Sequence, residues 1–139
     1  MYINIIKFLL KLFSPKRKRN NVSYIYGDLL KLMIKDIQNL KENFIEQLLE
    51  LLKIPSISAD PDYKGEVKKT AYWIKNALKM IGCKTVKIYE TEGHPIVYGE
   101  VSVSENAPTV LVYGHYDVQP PDPLKLWENP PFEPIIKTT

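Results

Sequence analysis

Residues 109–119 read Thr-Val-Leu-Val-Tyr-Gly-His-Tyr-Asp-Val-Gln. Thr109 to Tyr113 is β-branched and apolar, the composition of a buried strand, and the run stops at Gly114. His115 and Asp117 follow two residues apart, so on an extended backbone both side chains project from one face. A neutral imidazole binds a metal through one ring nitrogen while a nearby carboxylate accepts the proton of the other, which fixes the tautomer and raises ligand basicity. The stretch therefore reads as a strand that carries half of a metal site to its C-terminal tip. On the triplet alone the bland alternative is the commoner one, because a histidine at a strand end is more often a surface residue than a ligand.

Downstream, the composition changes at Pro120. Six of the 11 prolines lie between Pro120 and Pro134, with Trp127 and Phe132 among them. Proline lacks the N–H that a helix interior or a central strand needs, so this segment is expected to be an ordered loop with aromatic anchors. Two roles fit it: the wall of a cleft at the strand end, where open α/β sheets bind ligands, or a loop pinned to the body by its two aromatics. Ile135 to Thr139 looks like the start of a further strand with an unpaired edge.

Upstream, Lys84 to Glu90 and Pro95 to Val103 are two more strand-like runs. Thr91-Glu92-Gly93-His94 joins them as a turn in which His94 is expected to be a solvated loop residue. Before them, Val67, Ala71, Ile74, Leu78 and Ile81 form a helical stripe, and Gly82 sits where a C-terminal cap belongs. Cys83 follows that glycine and is expected to act as a small semi-buried hydrophobe. Asp60-Pro61-Asp62 offers carboxylate caps at the start of the same helix. From about Tyr24, Ile37, Leu40, Phe44, Leu48 and Leu51 mark an earlier helix, which Pro55 stops. Ser56 and Ser58 are expected to be turn residues, since no nucleophile elbow surrounds them. The order helix, helix, then three strands predicts an α/β fold with a mixed sheet.

Charge is unevenly placed. Residues 1–20 hold 6 of the 19 basic residues and no acid, so the net charge of +3 belongs to the N-terminal tail. The remaining 13 basic residues face 16 acids, which gives no reason to assign nucleic-acid binding to the body. Met1 to Phe13 is apolar but carries Lys7 and Lys11 inside it and is shorter than a membrane span. Membrane-surface contact through residues 1–20 is one reading, and a poorly ordered extension without a role is the favoured one. A single cysteine excludes an internal disulfide framework and a thiolate zinc cluster, and agrees with a cytoplasmic setting.

Leu111 to Pro120, followed by Asp122-Pro123, Leu126-Trp127 and Pro130-Pro131-Phe132-Glu133-Pro134, closely resembles the first metal motif of the dinuclear zinc metallopeptidases. That family includes aminoacylases, succinyl-diaminopimelate desuccinylase, glutamate carboxypeptidases and carnosinase-like dipeptidases. Leu52 to Ser58 and Gly93 to Glu100 also resemble the family, and specifically its dipeptidase branch. The resemblance runs from about Met33 to Ile136. It implies that residues 1–32 are an extension and that residues 33–139 are the N-terminal part of a zinc-peptidase-like catalytic domain, incomplete.

Carried over by position, the resemblance marks His115 as a ligand to one zinc and Asp117 as the catalytic carboxylate that orients its imidazole. The implied activity is hydrolysis of a small peptide or N-acyl amino acid by zinc-bound hydroxide. The family's bridging aspartate, acidic pair, further acidic ligand and distal histidine have no counterpart in this sequence, which contains no Glu-Glu pair. The chain as given is therefore expected to be inactive alone. A non-catalytic interaction module, or half of a split enzyme completed by a complementary chain, is the alternative.

Overall fold

The computed structural model describes residues 22–102 and 104–137, with side chains from residue 31 onward except at 103. Helix α1, Val22–Asn39, and helix α2, Lys41–Leu52, stand where the sequence predicts one helix ending at Pro55. The join is a one-residue interruption at Leu40 (φ −99°, ψ 1°). Leu40 N–H still reaches the Asp36 and Ile37 carbonyls at 3.2 Å, and Phe44 N–H reaches the Leu40 carbonyl at 2.9 Å. Because the apolar spacing continues across that residue, periodicity carries no sign of the break. The boundary expected at residue 33 falls inside α1 and rests on the resemblance alone. The expectations for residues 1–20 lie outside the described residues, among which no helix is long and apolar enough to cross a membrane.

Helix α3, Lys64–Met80, organises the core. A 3-10 turn, Pro61–Tyr63, leads into it, and Asp60 caps that turn by accepting Asp62 N–H at 3.0 Å, as its sequence position predicts. The expected stripe faces inward: Val67, Ala71 and Ile81 are buried, and Ile74 and Leu78 half-buried. Full burial of one such aliphatic side chain is worth about 1.5–3 kcal/mol. Gly82 ends the helix at φ 93°, a conformation that costs residues with a Cβ. Its N–H bonds the Lys79 carbonyl at 2.9 Å, and Cys83 N–H bonds the Leu78 carbonyl at 3.1 Å. These two bonds close a Schellman turn that drops Cys83 into the core, where burial pushes its thiol pKa up.

Strands β1, Thr85–Tyr89, and β2, Ile96–Glu100, pair antiparallel, with Thr85 opposite Glu100 and Tyr89 opposite Ile96. Helix α3 lies on this ladder at close range. A Cβ at Gly99 would stand 2.9 Å from Leu78 Cδ1 and 3.4 Å from Cys83 Sγ, so glycine at this position permits the approach. In the connecting turn, Thr91 Oγ1 accepts Gly93 N–H at 3.1 Å and donates to the His94 carbonyl at 2.8 Å.

Two of the three expected strands form; the third does not. Thr109 to Tyr113 has no ladder partner among the described residues, and Leu111 and Tyr113 are 89% and 84% exposed. Composition supplies a strand preference, but a strand forms only beside an edge that offers hydrogen bonds. The ladder among the described residues consists of β1 and β2. Ile135 and Ile136 are likewise exposed and outside any strand. The result is an incomplete α/β layer, helices against a two-stranded antiparallel sheet, in place of a three-stranded mixed sheet.

Candidate metal site at His115 and Asp117

Two segments far apart in sequence meet to build this site. After α2, Pro55 turns the chain into a buried stretch in which Ser56 and Ile57 are each 3% exposed. Residues 116–118 dock on it. Val118 N–H donates to the Ser56 carbonyl at 3.0 Å, the Ser56 hydroxyl donates to the Tyr116 carbonyl at 2.8 Å, and Ile57 and Val118 form a parallel bridge. The Tyr116 hydroxyl donates to the Pro95 carbonyl, tying in the start of β2. Burial, then the charges of Asp117 and Glu90, push the Tyr116 pKa up, so it remains a donor.

His115 and Asp117, which the sequence singles out, come together as expected. His115 Nδ1 lies 3.2 Å from Asp117 Oδ1 and 3.1 Å from the Asp117 backbone carbonyl. A carbonyl and an ionised carboxylate can only accept, so Nδ1 carries a hydrogen, and in the neutral ring Nε2 keeps its lone pair. The His115 side chain is 76% exposed, leaving the ring open to an incoming group. Asp117 is a carboxylate at neutral pH. The Ser58 hydroxyl, donating to Oδ2 at 2.6 Å, is the largest cause holding it below the usual carboxylate range; partial burial opposes this, and its own backbone N–H and His115 add to it.

Ser58 and His94 correct the expectations drawn for them. Ser58 is more than a turn residue, because its hydroxyl holds the Asp117 carboxylate across 59 positions of sequence. His94 is half-buried instead of solvated, with Nε2 at 2.9 Å from the Ser58 carbonyl, to which it donates. These contacts span 59 and 36 residues, and no local spacing rule encodes them. In the proline-rich loop, Trp127 is 53% exposed and its indole N–H donates to the Pro121 carbonyl at 2.9 Å. It closes the loop on itself. Phe132 is half-buried, at φ 66°.

A surface groove of about 290 Å³ lies between α2 and α3, beside Asn43, Gln47, Trp73 and Met80. Neither His115 nor Asp117 lines it, so it stands apart from their chemistry. Among the described residues no three His, Cys, Asp or Glu side chains converge to hold a metal. A hydrolytic zinc site needs about three protein ligands. The donors present thus fit one ligand position with its orienting carboxylate, and do not fit a complete centre.

No family model matches the chain. It is 34% identical over 108 residues to the Cys-Gly metallodipeptidase DUG1 of Candida albicans, covering 69% of this chain and 22% of that protein. The Cys-Gly metallodipeptidase DUG1 of Saccharomyces cerevisiae is 28% identical over 116 residues, covering 75% of this chain and 24% of that one. The solved structure of the di-peptidase Dug1p from Saccharomyces cerevisiae superposes with a TM-score of 0.68 at 29% identity, over 74% of this chain and 24% of that one. The chain thus spans roughly a quarter of the length of these relatives. In sequence and in fold it is a partial-length match to the dipeptidase branch of the metallopeptidase family.

Proposed function

We propose that this chain carries one metal-ligand position of a dipeptidase active site. His115 Nε2 would hold a zinc ion and Asp117 would orient the ring, in an enzyme that hydrolyses a peptide or N-acyl amide bond of a small substrate. The observation that carries the reading is the His115 ring itself, with Nδ1 held against two Asp117 acceptors and the side chain 76% exposed. Similarity to proteins named as Cys-Gly metallodipeptidases supports short peptides as the substrate class. A bound zinc ion would polarise the scissile carbonyl and lower the pKa of a bound water.

Among the described residues one ligand position and no general base come together, too few for that chemistry. The purified 139-residue chain is therefore expected to bind zinc weakly and to release no amino acids from a panel of dipeptides. Zinc titration followed by the ring 15N shifts of the two histidines tests the assignment: His115 Nε2 responds and His94 does not. A silent His115 would sink the ligand assignment, and zinc-dependent release of amino acids would overturn the expected inactivity. A second reading is favoured by the exposed apolar run at Leu111 and Tyr113, which suits a strand completed by a complementary polypeptide. Co-purification with a chain bearing an acidic pair and a distal histidine would support it.

A further inference from the structure

The Asp117 carboxylate is gripped from two sides, and only one grip belongs to His115. Oδ1 faces His115 Nδ1 at 3.2 Å, while Oδ2 accepts the Ser58 hydroxyl at 2.6 Å. The torsion that turns a carboxylate is broad and roughly two-fold, so one long bond to an exposed ring does not fix it. A short bond on the far oxygen does. Ser58 is itself held: His94 Nε2–H donates to its carbonyl at 2.9 Å, and the residues before it are zipped to 116–118 by the Ser56 and Ile57 contacts. Side-chain and backbone bonds thus run His94 to Ser58, Ser58 to Asp117, and His115 to Asp117.

This relay meets a chemical need. In water, neutral histidine favours the tautomer with its hydrogen on Nε2, the nitrogen that a ligand here must present bare. The fold has to reverse that preference, and among the described residues the Asp117 oxygens are the acceptors placed to do so. We propose that Ser58 is a positioning residue for the His115 site: its hydroxyl sets the Asp117 carboxylate, and through it keeps the hydrogen of His115 on Nδ1, with His94 bracing Ser58 from behind. The inference rests on the reading of His115 as a metal ligand for its functional meaning, but the tautomer is measurable without metal.

The test is a long-range 1H–15N correlation of the histidine rings in the full chain at about pH 8, above the ordinary histidine pKa. The two histidines are assigned with His94→Gln and His115→Gln. In the unaltered chain His115 shows its hydrogen on Nδ1. Ser58→Ala raises the Nε2–H share of His115 measurably, the Asp117 backbone carbonyl still accepting from Nδ1, and Ser58→Thr, which keeps the hydroxyl, restores the original pattern. Ser56→Ala, which removes a bond to Tyr116 but none to the carboxylate, lowers the melting temperature and leaves the tautomer unmoved. An unchanged His115 tautomer in Ser58→Ala with a native amide spectrum overturns the proposal, as does an equal shift in Ser56→Ala. If Ser58→Ala does not fold, Ser58→Cys, of similar shape and weaker donor strength, gives the same two outcomes. Zinc response at His115 Nε2 is scored separately, so a tautomer shift without zinc response keeps the role of Ser58 and rejects the metal reading.

Discussion

At Asp117, a half-exposed carboxylate accepts from the Ser58 hydroxyl, its own backbone N–H and His115, and its charge strengthens each bond. Its folded pKa is depressed, so the stability it adds is present above the unfolded carboxylate value and is lost as pH falls through the folded one. Melting temperatures of the native chain and of Asp117→Ala should therefore differ by a constant amount at neutral pH and converge below about pH 4. The difference is small, because the side chain is 42% exposed and solvent screens it. Cys83 has the opposite sign: burial raises its thiol pKa, so its contribution is present below the ordinary thiol value and is lost as pH rises through the folded one. Iodoacetamide should label it slowly in the native chain and quickly once urea unfolds it; equal rates would contradict its place in the core. The pairing of His115 with Asp117 and the burial of Cys83 are legible in the sequence because each rests on a local pattern. Ser58 and His94 were not, because their meaning lies in contacts with residues dozens of positions away.

Among the elements, α3 was the most legible, since a 3.6-residue stripe and a terminal glycine are both written in consecutive residues. Gly82→Ala tests its termination, and adding a Cβ at φ 93° is expected to cost about 1–2 kcal/mol in denaturant unfolding. Gly99→Ala tests the helix–sheet approach. Leu78 can swing aside at the end of a flexible side chain, so the loss is set near the low end for overpacking, about 1 kcal/mol. A neutral Gly99→Ala would mean that α3 does not lie as close to β2 as described. The expected third strand is absent from Thr109 to Tyr113 for a reason that composition cannot show. Thr109 to Tyr113 has strand-forming residues, but pairing is a property of two segments, and among the described residues none pairs with it. The break at Leu40 was hidden for the converse reason, since the apolar spacing runs straight through it.

For the whole molecule, Leu111, Tyr113, Leu126, Ile135 and Ile136 are all exposed, and apolar side chains left in water favour association. The 139-residue chain is expected to self-associate with rising concentration, and Leu111→Lys with Tyr113→Lys to reduce that association in sedimentation velocity. Unchanged association in the double variant would place the sticky surface elsewhere. That pattern suits a chain spanning roughly a quarter of the length of its metallodipeptidase relatives. The most direct measurement grafts residues 33–136 of this chain in place of the matching segment of the Candida albicans dipeptidase and assays hydrolysis of a dipeptide with metal present. A folded chimera should hydrolyse it, and His115→Ala in that chimera should cut the rate at least about a hundredfold, as loss of a group that holds the reacting centre does. A folded, metal-loaded chimera that works equally well with His115→Ala would contradict the assignment of His115 as a metal ligand.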